Sequence, residues 1–170
     1  MNVNLSLEEY KSFIKNIEDT EEALLFEILY WCGLRINEVY ALTRENVNDQ
    51  IITINNCNGK VSRQVIMPKS LAKDLSEFLK NRDDIIFQIS TIKVKNTLLE
   101  YFKNYAKGLI TIHIFRSSHI MLLNSICTDD KLIRGRIGLE SYEENDEEFC
   151  RKQFKLADML DKERNKLFGK

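Results

Sequence analysis

The stretch Leu24–Leu42, LLFEILYWCGLRINEVYAL, is where the reading of this chain is decided. Its first half is apolar almost all round, the pattern of a helix buried on every side. Gly33 ends that helix as a left-handed C-cap residue. Arg35 follows the turn directly and opens a second, short helical stretch that carries Glu38. An arginine placed there has a packed helix behind it and little room to wander. Taken alone, the stretch also fits a surface arginine at a helix junction. The rest of the chain must supply partners if Arg35 does more.

Upstream, Ser6 with Glu9 three residues later forms a capping box, predicting a helix from there to about Ile17. Leu7, Tyr10, Phe13, Ile14 and Ile17 give it one apolar face. Asp19-Thr20 starts the next helix, which runs to Cys32. Downstream of Leu42 the period changes from helical to alternating. Ile51–Asn55 and Val61–Met67 read as paired strands, with Asn58-Gly59 as a two-residue hairpin turn and Pro68 ending the second strand. Helical patterns then return over Ser70–Lys80, from Ile92 to about Tyr105, within 111–126, over Asp129–Ile137 and from about Glu147 to Leu167. Residues Asp84–Ile89 are either a short edge strand or an extended loop. The expected fold is mixed α+β: one mainly helical domain with a small antiparallel sheet.

A chain of 170 residues with 44% hydrophobic and 30% charged residues has the length and composition of one domain with a sizeable core. No apolar run approaches the roughly 20 residues of a membrane-spanning helix, and no signal-peptide pattern opens the chain. The four cysteines, Cys32, Cys57, Cys127 and Cys150, form no CxxC pair, which argues against zinc and for reduced thiols in a cytoplasm. The net charge of −1 hides a polarised distribution. Residues 1–27 are acidic, while Lys60, Arg63, Lys69, Lys73, Lys80 and Arg82 make 58–82 basic. Such a chain can turn a basic face to a polyanion while staying neutral overall.

The partners for Arg35 stand at the start of the apolar helix in 111–126. His113 and Arg116 are three residues apart there. Two guanidinium forks can bind the non-bridging oxygens of a phosphate and offset charge that grows during phosphoryl transfer. A histidine beside them can hydrogen-bond the same phosphate or assist proton transfer. A core histidine with a surface arginine is the plain alternative.

In this order the blocks resemble the tyrosine recombinases, the phage-integrase family, over nearly the whole chain. CGLRINEV at 32–39 is similar to the family's first arginine block, with Arg35 on its first catalytic arginine and Glu38 on its acidic helper. The hairpin ending RQVIMP at 63–68 resembles its basic hairpin, HIFRSSHIMLL at 113–123 its histidine and second arginine block, and CTDDKLIRGRIGL at 127–139 its third block. The resemblance implies breakage and joining of double-stranded DNA without metal, ATP or other cofactor. A tyrosine hydroxyl would attack the phosphodiester, Arg35 and Arg116 would clamp it with His113, and Lys60 would act as general acid. Arg63, Lys131 and Arg134 are expected DNA contacts. The basic C-terminal helix is expected to dock on a neighbouring subunit, giving self-association on DNA or pairing with a full-length recombinase. The N-terminal DNA-clamping domain typical of the family is expected to be absent, the chain being a fragment of a longer integrase or a short form.

The departures are as definite as the matches. Leu139 stands at the third block's histidine or tryptophan, and the nucleophile's place falls on Glu148, beside Phe149. Tyr142 is the only tyrosine nearby and is the candidate nucleophile. Lys60 follows the Asn58-Gly59 turn, whereas the family lysine usually precedes it. Ser117 replaces a second histidine, and His119 is expected to be structural. The acidic run 140–148 reads as a solvated loop or as a gate against the phosphate backbone. Two functions therefore stand side by side: an active recombinase domain, or a DNA-binding or regulatory module without its nucleophile.

Overall fold

A computed structural model describes residues 4–55, 61–105, 110–141 and 146–169. Helix α1 (Leu7–Ile14) starts at the expected capping box: Glu9 N–H donates to Ser6 Oγ at 3.2 Å and Ser6 N–H to Glu9 Oε2 at 2.8 Å. Helix α2 (Thr20–Cys32) is capped by Asp19, which accepts from Glu22 N–H at 3.1 Å. Gly33 closes α2 at φ 66°, the left-handed conformation the sequence predicts. Every residue of α2 from Leu24 to Cys32 is buried. It is the axle of the domain, packing against α1, against the short α3 (Ile36–Tyr40), against α4 (Lys69–Leu79) and against α6 (His113–Ile126). An aromatic cluster welds α1 to it, with Tyr10 stacked on Tyr30 at 3.7 Å between centroids and edge-on to Trp31 at 5.8 Å.

The sheet has three antiparallel strands in the order β1 (Val47–Asn48), β2 (Ile51–Asn55) and β3 (Val61–Ile66). In the ladder Ile52 faces Val65 and Ile54 faces Arg63, and all four side chains are buried. The Asn58-Gly59 turn lies outside the described residues. Pro68 precedes α4, as expected. Residues 84–89 form no strand; Ile85 makes a single bridge to Thr43. Their loop is tied to α2 through Glu21, which accepts from Gln88 N–H at 2.5 Å and Ile89 N–H at 2.6 Å and pairs with Arg82 at 2.5 Å.

Helix α5 (Thr91–Phe102) precedes α6, and α7 (Asp130–Arg136) and α8 (Glu147–Phe168) complete the chain. Arg136, within the third block, is fully buried. Its guanidinium donates to Trp31 O at 3.1 Å, Ile66 O at 2.9 Å, Gln153 Oε1 at 3.2 Å and His119 Nε2 at 3.3 Å. The C-terminal helix α8, the segment expected to dock on a neighbouring subunit, packs within the chain against α1, α4, α7 and β3. Leu156, Leu160 and Leu167 enter the core, and Arg164 is buried between Glu27 (2.7 and 3.1 Å), Asp74 (2.7 Å) and Ser70 Oγ (2.8 Å). Arginine satisfies several acceptors at once, and that lets two internal helices be pinned by one side chain.

Candidate nucleic-acid interface

The site grows from the end of α2. Gly33 turns the chain, Leu34 plugs into the core, and Arg35 is left at the N-terminus of α3 with 44% of its side chain exposed. Glu38, one turn into α3, reaches back and accepts from Arg35 N–H at 2.7 Å and from its Nη1 at 3.2 Å. A carboxylate at the third helical position normally satisfies one open N–H of the helix start. Here it also receives Arg63 from β3, whose Nη1 and Nη2 donate to Oε1 and Oε2 at 2.7 and 2.9 Å. Burial pushes the Glu38 carboxyl up, but the Arg63 bonds and charge, with Arg35's, hold it below the usual carboxylate range.

Arg116 completes the cluster from α6. One nitrogen, Nη1, donates to Gly33 O at 2.6 Å and the other, Nη2, to Ile137 O at 2.6 Å. It thus straps the end of α2 to the end of α7. Burial, and then the neighbouring charges of Arg35 and Arg63, push its pKa down to about 10, so it stays cationic at neutral pH. Two guanidinium groups, Arg35 and Arg63, bond the one carboxylate of Glu38, and a third, Arg116, lies near enough to feel its charge. A local excess of positive charge at a partly open surface is what an anion site requires. His113, the first residue of α6, is exposed and stands at one end of a largely apolar groove of about 630 Å³ that also includes Ile36, Asn37 and Tyr40 of α3. Arg35 and Arg116 are close enough for their charges to act on each other, while His113 shares its groove with the first turn of α3.

The remaining candidates are placed differently. Lys60 and Tyr142 lie outside the described residues. Arg63, expected to touch DNA, is only 4% exposed and faces inward: its Nε donates to Arg136 O at 3.0 Å while its fork is taken up by Glu38. Arg134 is partly exposed and engaged with Glu140 at 2.8 Å. Lys131 is exposed on α7 beside a recess of about 220 Å³ shared with Asp129, Asp146, Glu148 and Lys152. Leu139 is 55% exposed, whereas Phe149 is buried at the start of α8. His119 is structural, as expected. Burial and the Arg136 charge hold its imidazole well below its ordinary pKa, and its ring lies against Gly33.

Tyr10, Tyr30, Tyr40 and Tyr101 do not fill the nucleophile's place. Tyr10 and Tyr30 are in the core. Burial, then Glu21 and Glu22, raises the pKa of Tyr40, and its hydroxyl is sealed from solvent. Tyr101 packs edge-on to Phe13 at 5.1 Å, within the aromatic cluster of α1.

What sequence reasoning missed is the Arg63–Glu38 pair and the part played by Gly138. At φ 74°, Gly138 is left-handed, and a Cβ there would sit 2.8 Å from Arg63 Nη1. A usable signal was present, since Arg63 shares its strand face with the buried Val65.

The family model described as "Phage integrase family" matches residues 4–146. Among curated proteins no sequence matches this chain. Among solved structures, XerA recombinase aligns over 92% of this chain and 65% of its own with a TM-score of 0.69 and 21% identity. XerH recombinase bound to its difH substrate aligns over 81% of this chain and 46% of its own, with a TM-score of 0.67 and 20% identity. The integrase of the mycobacterium phage Brujita aligns over 95% of this chain and 58% of its own, with a TM-score of 0.76 and 13% identity. At such identities the likeness is one of fold, and the chain spans between about half and two thirds of these relatives' length. With the match covering most of its residues and its fold that of the recombinases, the chain belongs to the phage integrase family, the tyrosine recombinases.

Proposed function

We propose that this domain grips a DNA phosphodiester and serves the breaking and rejoining of strands in site-specific recombination. The observation that carries the reading is the surplus of guanidinium over carboxylate around Glu38, next to the exposed His113. Arg35 presents an open fork to one non-bridging oxygen, Arg116 adds charge from behind, and His113 stands at the rim. The likeness to XerH, solved bound to its difH substrate, supports double-stranded DNA as the ligand. In the reaction, the Tyr142 hydroxyl attacks phosphorus and gives its proton to a base at the site, such as His113. The 5′ oxygen leaves with a proton from Lys60, and a 3′-phosphotyrosyl bond conserves the energy for religation. Exchange between duplexes requires breaking more than one strand, so self-association on DNA belongs to the same reading.

A second reading is favoured by one observation. The place where the family's tyrosine falls holds Glu148 and Phe149, and Phe149 is buried with no hydroxyl to offer. On that reading the domain holds DNA without cutting it, alone or beside a full-length recombinase. A nicked suicide substrate separates the two. The active reading expects a protein–DNA adduct that survives denaturation and is lost in Tyr142→Phe. Salt-dependent DNA binding with no adduct establishes the second reading, and loss of neither binding nor adduct in Arg35→Ala removes the phosphate clamp from both.

A further inference from the structure

We infer that Arg63 is a positioning residue that sets Arg35 through Glu38, and that Gly138 exists to admit it. The inference rests on the reading of Arg35 as a phosphate ligand. Each oxygen of Glu38 is shared by the same two residues. Oε1 accepts from Arg63 Nη1 at 2.7 Å and Arg35 Nη1 at 3.2 Å; Oε2 accepts from Arg63 Nη2 at 2.9 Å and Arg35 N–H at 2.7 Å. A bidentate fork holds a carboxylate in one plane, which a point charge cannot do. That plane then dictates where Arg35's guanidinium rests. Arg63 is itself held on the inside, with Nε on Arg136 O at 3.0 Å and Nη1 so near Gly138 that a Cβ would meet it at 2.8 Å. The backbone of the third block thereby sets the side chain of the first, through a buried arginine on the hairpin. Among the side-chain contacts, Arg63 holds both oxygens, at 2.7 and 2.9 Å, and Arg35 reaches one of them at 3.2 Å. Arg35 is thus oriented and still able to meet an incoming oxygen.

A double-mutant cycle on binding of a short DNA duplex tests this. Arg35→Ala is expected to lower affinity about tenfold and to reduce the salt slope by about 0.9, the loss of one phosphate contact. Arg63→Lys keeps the charge and loses the fork, and is expected to lower affinity about fivefold with the same reduction in slope. The double variant is expected to match Arg35→Ala, because Arg63 acts only through Arg35. An additive cycle, about fiftyfold in the double variant, overturns the inference while leaving the clamp intact. No effect of Arg35→Ala refutes the clamp and this inference with it. Where Arg63→Lys lacks the native circular dichroism spectrum, Glu38→Gln takes its place in the cycle, with the same outcomes.

Discussion

Replacing Gly33 by alanine tests the joint between the buried helix and the arginine site. Gly33 has φ 66°, and for an alanine that conformation costs about 1–2 kcal/mol. The added Cβ would also lie 2.3 Å from His119 Cδ2, with Cγ and Nε2 at 3.1 Å. The ring has nowhere easy to go. It is fully buried, and its Nε2 accepts from Arg136 Nε at 3.3 Å. Overpacking of this kind costs about 1–3 kcal/mol. Against this, alanine restricts the unfolded chain and returns about 0.4–1 kcal/mol. The expected net loss is about 2–4 kcal/mol, a fall in melting temperature of roughly 5–15 °C for a domain of this size. Thermal and urea unfolding followed by circular dichroism measure it. The partition is checked in a His119→Ala background, where the clash is gone and Gly33→Ala is expected to cost only the backbone part less the unfolded-chain return, about 0–1.6 kcal/mol. A loss below about 1 kcal/mol in the native background, or an equal loss in both backgrounds, refutes the reasoning.

Two further outcomes follow from buried charge. His119 is held neutral in the fold by burial and by Arg136, so the unfolded chain takes up a proton near its ordinary pKa of about 6.5 while the folded one does not. Its contribution to stability is present above that pH and is lost as pH falls toward the depressed folded value, at up to about 1.4 kcal/mol per unit. Urea titrations between pH 6.5 and 5 are expected to show this slope and to flatten in His119→Asn; an equally steep slope in the variant rejects it. Arg164→Met leaves the buried Glu27 without its fork and is expected to cost about 3–5 kcal/mol, while adding Glu27→Gln recovers part of that loss. If Arg164→Met unfolds at the native urea midpoint, α8 is not pinned by this residue.

Local rules carried most of the architecture. The Ser6 and Asp19 caps, the left-handed Gly33, the alternating strands and Pro68 act over a few residues, so their geometry follows from spacing alone. The helices ended within a few residues of expectation for the same reason. What spacing does not carry is the direction of a long cation. Arg63, expected to touch DNA, is internal, as are Arg136 and Arg164, because carbonyls and carboxylates from distant elements converge on them. Whether an arginine finds Trp31 O or Glu27 waiting depends on contacts more than 100 residues away in sequence for those two pairs. The packing of the C-terminal helix escapes spacing through the same gap. Its charge pattern is that of an exposed helix, while Leu156, Leu160, Arg164 and Leu167 form a stripe that matches α4 and α1 of its own chain.

The two arginines of the proposed clamp do not carry equal weight as signs of function. Arg116 has a complete structural livelihood. It ties Gly33 O to Ile137 O at 2.6 Å each, and without it two helix ends would leave carbonyls unsatisfied. A domain that bound no DNA would still need it. Arg35 has no comparable duty. Among the described residues its side chain's hydrogen bond and ion pair are with Glu38, at 3.2 Å, and Glu38 is already neutralised by Arg63. A second cation beside that satisfied pair repels Arg116, whose pKa falls through burial first and then through the charges of Arg35 and Arg63. That arrangement makes physical sense when an anion completes the site. The exposed Arg35, rather than the better-anchored Arg116, is therefore the residue on which the phosphate reading stands, and it says nothing by itself about whether a tyrosine arrives to cut.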